Sequence, residues 1–209
     1  MNDQSSPEVK RALPVAVSTR VPPEDNTFIK LQQGKVLWTG EPAESPEANW
    51  LCDKLPVDDI KAVLAPILDQ LGLSVEQLEV KFLSEGEWNR VYLVTDTSQG
   101  REFVFRASLP VYPWYKTKAE VATIQFIRDN TTIPAPKVYA FDSSADNALG
   151  FEWILMEKLP GTQYGSIADY ITMEENLTIA GTIAVWMDQL SRLSTRSAVS
   201  IPTKMGTWN

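Results

Sequence analysis

Between residues 56 and 193 the spacing of apolar positions switches period four times, and each switch marks a new kind of element. Ile60, Leu64, Ile67, Leu68 and Leu71 recur at helical intervals, with Gly72 as a stop and Pro66 expected to kink or split the helix. Ser74 and Gln77 stand in the spacing of a small capping box. From Leu78 the period drops to two: Leu78, Val80 and Phe82 alternate with Glu79 and Lys81, which predicts a half-buried strand. Ser84-Glu85-Gly86-Glu87 turns the chain into a second strand over 91–95. A tight turn over 96–100 then leads to a third strand over 102–107, completing an antiparallel meander.

A loop containing Pro110 and Pro113 precedes a predicted helix over 116–129. Strands over 137–141 and 151–157 flank a turn over 142–150. The last helix, over 174–193, sets Ala180, Ile183, Met187 and Leu190 on one stripe behind Thr172 and Glu175 in capping-box spacing. Residues 1–50 hold six prolines (Pro7, Pro14, Pro22, Pro23, Pro42 and Pro46) and no sustained period, which predicts an extended or disordered arm.

Composition removes several chemistries. The 209 residues include no histidine and one cysteine, Cys52. That excludes a Ser-His-Asp or Cys-His nucleophile, an imidazole acid or base, a histidine-bearing metal site and an intrachain disulfide. A lone thiol and a polar start without a signal peptide predict a reducing, cytoplasmic setting. With 19 Lys+Arg against 27 Asp+Glu the net charge is −8, which argues against unaided binding to nucleic acid or anionic lipid and leaves small molecules and proteins as partners. The longest apolar stretch, over 177–187, falls short of the roughly 20 residues a membrane helix needs.

Candidate chemistry lies in the meander. The turn Ser84-Glu85-Gly86-Glu87-Trp88-Asn89-Arg90-Val91 is followed fifteen residues later by Arg106 on the third strand. A hairpin with a Gly can bring backbone N–H groups over phosphate oxygens while a cation reaches them from below. A plain β-hairpin with a surface arginine fits the same residues. Glu120, Ile124 and Ile127 share one helical face, so an acid projects toward the core and needs a partner. Arg106, on the side of its strand opposite Phe103 and Phe105, is placed to meet it. Such a pair would hold the guanidinium ready for an anion, or act as an ordinary structural salt bridge.

Five blocks in order carry a resemblance: Gly86-Glu87-Trp88-Asn89-Arg90-Val91-Tyr92-Leu93, Phe103-Val104-Phe105-Arg106, Ala119-Glu120-Val121-Ala122-Thr123, Ile133-Pro134-Ala135-Pro136-Lys137-Val138 and Ile154-Leu155-Met156-Glu157-Lys158-Leu159-Pro160-Gly161. Over about half its length the chain resembles the aminoglycoside phosphotransferase family, the kinase-like small-molecule kinases, in the style of their fungal members. The resemblance implies an α+β fold: a protein-kinase-like N-terminal lobe with a five-stranded antiparallel sheet and a C-type helix over 51–162, then the truncated start of a helical C-lobe over 163–209.

By the same resemblance ATP is the implied nucleotide. Gly86, Glu87, Trp88 and Asn89 would cover its phosphates, Arg106 would stand where the family has a third-strand lysine, and Glu120 would be its helix partner. The segment from Glu157 to Leu159 would be the hinge that reads the adenine edge, under a ceiling of Val91 and Val104. The family's catalytic H-x-D-x-x-x-x-N block and its metal-holding aspartate have no counterpart, so no catalytic or metal-binding residue is assigned and Mg²⁺ enters only with a C-lobe. Asp142 and Asn147 mimic the Asp-to-Asn offset, but they lie in a turn rich in Asp, Ser and Asn. The expectation is a truncated or degenerate kinase-like protein with an ATP-binding lobe, inactive in transfer. The other reading is a pseudokinase-type interaction module whose exposed apolar underside binds a protein partner.

Overall fold

A computed structural model describes residues 14–17, 36–39, 47–110 and 114–193. Strands β1 (Val15–Ala16), β2 (Val36–Thr39) and β3 (Glu47–Trp50) precede helix α1 (Val57–Leu71). The meander β4 (Leu78–Glu85), β5 (Asn89–Asp96) and β6 (Arg101–Ser108) leads to helix α2 (Tyr115–Asn130). After it come β7 (Val138–Asp142), β8 (Glu152–Glu157), the short α3 (Tyr164–Ile167) and α4 (Met173–Ser191). Six strands form one sheet in the order β1-β7-β8-β6-β5-β4, and β2 and β3 form a separate antiparallel pair.

The expected five-stranded antiparallel sheet is thus corrected to a mixed sheet of six. Its extra strand is β1, which pairs parallel to β7 through Val15 with Ala140 and Ala16 with Phe141. Two residues are too few to leave a period in the sequence, and only the open edge of β7 makes them a strand. The β2–β3 pair likewise stands within the stretch read as an extended or disordered arm. The rest of that arm, and the chain after residue 193, lie outside the described residues.

Alternation along the central strands sorts their side chains between two layers. Tyr92 and Val94 of β5, Phe103, Phe105 and Ala107 of β6, and Trp153 and Leu155 of β8 are all buried in one core with Ile60, Val63, Leu64, Ile67 and Leu68 of α1. Phe105 stacks on Trp153 at 5.5 Å between ring centroids, and the Tyr92 hydroxyl accepts the Leu55 N–H at 2.7 Å. The opposite face carries a smaller core of Val104, Ile154, Met156 and Val138 against Val121 and Ile124 of α2. Because β8 is covered on both sides, it reads as a continuous apolar run, with no alternation.

α1 runs unbroken through Pro66, contrary to the expected kink or split. Pro66 and Ala62, whose carbonyl loses its helical donor, both face water, so the lost bond is replaced by solvent. Gly72 ends the helix at φ 64°, and Arg101 donates to the Leu71 and Gly72 carbonyls at 3.2 and 3.0 Å, tying that end to the β5–β6 turn. The Ser74–Gln77 capping box does not form. Residues 75–77 make a single 3₁₀ turn, and the Ser74 hydroxyl bonds the Glu76 carboxylate two residues away instead. The Thr172–Glu175 box does form, with Glu175 N–H donating to Thr172 Oγ1 at 3.2 Å and Thr172 N–H to Glu175 Oε2 at 2.7 Å.

No residue of α4 is buried among the described residues, so the stripe of Ile183, Met187 and Leu190 forms without a covering layer. Gln189 ties the helix to the lobe through Thr132, whose N–H it accepts at 2.8 Å. Among the described residues no helix is long and apolar enough to cross a membrane.

Candidate functional site

Strand register places the site residues. Asn89 lies opposite Ser108 and Val91 opposite Arg106 across β5 and β6. Val104, Arg106 and Ser108 in turn lie opposite Met156, Ile154 and Glu152 of β8. Directly paired residues share a face. Asn89, Val91, Val104, Arg106, Ser108 and Glu152 therefore all look toward α2, away from the larger core.

α2 supplies the partner. Arg106 Nη2 lies 2.5 Å from Glu120 Oε2, with the two side chains 16% and 32% exposed. The contact is one of charge and not an aligned fork. Among the described residues neither Nε nor Nη2 of Arg106 has a hydrogen bond of acceptable geometry, although both atoms are buried. A guanidinium held in place with donors left over is ready to take an anion's oxygens.

Three further groups meet here that the sequence reading did not single out. Lys116 Nζ donates to Asn89 Oδ1 at 3.3 Å, and Ser108 Oγ donates to the same oxygen at 2.8 Å. Burial, and then the neighbouring Arg106 charge, hold the Lys116 ammonium below the ordinary lysine range against the opposing pull of Glu120 and Glu152. Glu152, 4% exposed, accepts the Trp114 N–H at 2.5 Å and so caps α2 from across the sheet, at an N-cap residue with φ 70° and no side-chain cap of its own. Burial pushes the Glu152 carboxyl up, opposed by the nearby polar groups of Thr117, by the Trp114 N–H and by the Lys116 charge. Two signals for these groups were present in the sequence. Lys116 stands one helical turn before Glu120, and Glu152 is an acid inside an apolar strand.

The Gly86 turn joins β4 to β5 at the end of the sheet where Asn89 and Ser108 lie, and Glu85, Gly86 and Glu87 border Trp50. Gly86 N–H donates to the Asn89 carbonyl at 2.9 Å, and Leu109 N–H donates to the Trp88 carbonyl at 2.8 Å. Gly86 has no left-handed φ, and a Cβ there would meet nothing within 4 Å. Neither local backbone nor packing explains a glycine at this position. Glu87 and Trp88 are exposed at the tip, while Glu85 pairs with the buried Arg90 at 2.6 Å. Arg90 itself lies on the other face, 4.5 Å from the centre of the Trp50 ring.

At the far end of β8, Glu157 is partly engaged by the fold. Its N–H donates to the Lys137 carbonyl at 2.7 Å and its carboxylate accepts the Lys137 N–H at 2.9 Å. Leu159 follows on an exposed segment. Asp142 and Asn147 are engaged within their own turn. Asp142 Oδ1 accepts the Ser144 N–H at 2.8 Å, and Asn147 Oδ1 accepts the N–H groups of Leu149 and Gly150 at 3.0 Å each. Among the described residues no group of three or more Asp, Glu, Cys or His side chains could hold a metal ion.

Comparison with known proteins shows the family of the chain. Residues 79–200, more than half of the chain, match the family model of the APH phosphotransferase enzyme family, and the chain belongs to that family. It is 33% identical over 99 residues to a subtelomeric hrmA-associated cluster protein of Aspergillus fumigatus, covering 46% of this chain and 19% of that protein. It is also similar to the proteins named altered inheritance of mitochondria protein 9, mitochondrial. Identity is 32% over 104 residues in Yarrowia lipolytica (46% of this chain, 17% of that one) and 37% over 83 residues in Debaryomyces hansenii (38% and 13%). The matched stretch spans less than a fifth of the length of these relatives. No solved structure matches the chain.

These names overturn the cytoplasmic expectation, since four of the matched relatives are named as mitochondrial. A single cysteine and a polar opening bear on reducing against oxidising compartments. They do not distinguish the cytosol from an organelle.

Proposed function

We propose that this chain is the nucleotide-binding lobe of a kinase-like phosphotransferase, with Arg106 gripping the phosphates of ATP beneath the turn from Gly86 to Asn89. The observation that carries the reading is the Arg106–Glu120 contact, which fixes a buried guanidinium and leaves its Nε without a hydrogen-bond partner among the described residues. Val91 and Val104, on the same face, supply an apolar surface for the base, and the carbonyl of Glu157 and the backbone of Leu159 its polar edge. Bound ATP would bring a γ-phosphoryl group for transfer to a small-molecule hydroxyl, as is usual in phosphoryl transfer.

The residues present fit the phosphates and not the metal. Both cations face the anion site, Glu120 is engaged by Arg106, and Glu152 is engaged in capping α2. Among the described residues no carboxylate pair is left for Mg²⁺, and with no histidine the chain lacks an H-x-D catalytic block. These 209 residues therefore bind nucleotide without transferring phosphoryl. Given the names of its relatives, we place the chain in mitochondria, which fractionation or a fluorescent fusion tests.

A titration of Mg·ATP followed by thermal shift tests the nucleotide reading on wild type and Arg106→Ala. A rise in Tm that disappears in the variant supports it, and no rise in wild type removes it. A second reading, a protein-binding module, is favoured by the uncovered apolar side chains of α4, where Met173, Leu177, Val185 and Met187 are each more than half exposed. Gel filtration of the chain tests it, a monodisperse monomer that binds no hydrophobic dye counting against it.

A further inference from the structure

We propose that Lys116 is the second cation of a polyphosphate clamp, set beside Arg106 and aimed by Asn89 and Ser108. The clamp rests on the nucleotide reading above and adds to it the class of ligand group, a chain of phosphates gripped from two elements at once. The geometry comes first. Asn89 leaves β5 directly behind the Gly86 turn, and its Oδ1 accepts from both Ser108 Oγ (2.8 Å) and Lys116 Nζ (3.3 Å). That shared acceptor holds the ammonium over the same sheet face that carries Arg106, two residues from Ser108, or about 7 Å along β6. The Asn89 Nδ2 donates to nothing among the described residues, so the residue that aims the lysine also offers an N–H to an anion.

Lys116 sits there against local preference. It occupies the first turn of α2, where the helix dipole disfavours a cation. It is half-buried, and it stands beside a second positive charge. Of the two nearby carboxylates, Glu120 is shared with Arg106, and Glu152 is pushed toward its neutral form by burial while it caps the helix. A methionine or glutamine would be more comfortable in the unliganded protein. A side chain that breaks several local rules without a structural gain marks a functional position. An incoming polyphosphate turns the two cations from mutual repulsion into joint attraction.

The test measures binding of Mg·ATP and of inorganic tripolyphosphate to the full chain by calorimetry, alongside its unliganded Tm. The variants are Lys116→Met, Lys116→Arg and, as a control for net charge, Lys118→Met at an exposed position two residues on. Lys116→Met is expected to weaken both ligands about ten- to a hundredfold while the unliganded Tm stays level or rises. Lys116→Arg should restore most of the binding, and Lys118→Met should stay within about twofold of wild type. ATP binding that is lost in Arg106→Ala but unchanged in Lys116→Met overturns the clamp and leaves the nucleotide reading standing. Tripolyphosphate held through Lys116, with ATP no tighter, upholds the clamp and removes the nucleotide reading. A lower Tm with unchanged affinity makes Lys116 a structural residue, and binding of neither ligand by wild type overturns both.

Discussion

Replacing Arg106 with Met, Glu120 with Gln, and both together isolates the interaction on which the site is built. At 2.5 Å the two charges attract by about 7 kcal/mol for an effective dielectric near 20, before the cost of drying them is subtracted. Fully exposed pairs retain about 0–1 kcal/mol of such attraction, and removal of one partner of a buried pair costs about 3–5 kcal/mol. With side chains 16% and 32% exposed, this pair lies between those limits. Each single change should cost about 1–3 kcal/mol, and the double change should recover about 1–2 kcal/mol of the sum. Urea unfolding followed by tryptophan fluorescence reads all four proteins, because Trp153 is buried in the larger core and Trp114 is buried at the start of α2. The coupling should persist at about 0.5 M salt, since a largely dry pair is weakly screened. Costs that add to within about 0.3 kcal/mol would show that the two side chains do not sense each other and would remove the platform for anion binding.

The Gly86→Ala variant should unfold within about 0.5 kcal/mol of wild type, because the backbone there is not left-handed and the added methyl meets only open space. Its affinity for ATP should nevertheless fall severalfold by calorimetry, and an unchanged affinity would mean that the turn does not approach the phosphates. Glu152 and Asp96 should give opposite pH dependences. Burial raises the Glu152 carboxyl, so the folded protein holds a proton that the unfolded chain releases above about pH 4.3, and wild type loses stability as pH rises through that window. Glu152→Gln should therefore be the more stable protein at pH 7–8, with the difference closing near pH 4; a gap that ignores pH would refute the burial argument. Asp96 is lowered, chiefly by the Ser98 hydroxyl, with Arg101 adding to the effect. Its contribution is present above about pH 3.9 and fades as acid is added, so Asp96→Asn should melt lower than wild type at pH 7 and converge with it at low pH. Parallel melting curves against pH would count against the hydrogen bonds drawn at that turn.

Much of the lobe could be read from residue order because its signals are local. The period-two run from Leu78, the turn residues after Asp96 and the Thr172–Glu175 box each reflect interactions a few residues long, which any window of sequence displays. The Arg106–Glu120 contact was legible for a related reason. Strand alternation sets Arg106 opposite Phe103 and Phe105, helical spacing sets Glu120 with Ile124, and a helix packed on that face of the sheet brings the two together. The Ser74–Gln77 spacing carries no box, because the chain there makes only one 3₁₀ turn and the local pattern does not fix a helix.

Residue order alone settled the periods, the turns, the absence of imidazole chemistry and the face from which each charged side chain leaves its strand or helix. Only the tertiary structure decided what those faces meet. It pairs Val15–Ala16 with the open edge of β7, lays α1 on the sheet face opposite α2, brings Glu152 to the start of α2 38 residues after Trp114, and gathers Lys116 and Ser108 onto one oxygen of Asn89. The division follows from range. Backbone preference and side-chain periodicity act between near neighbours and are written along the chain, whereas desolvation, capping from a distance and the meeting of two cations depend on which surfaces close together when the layers pack.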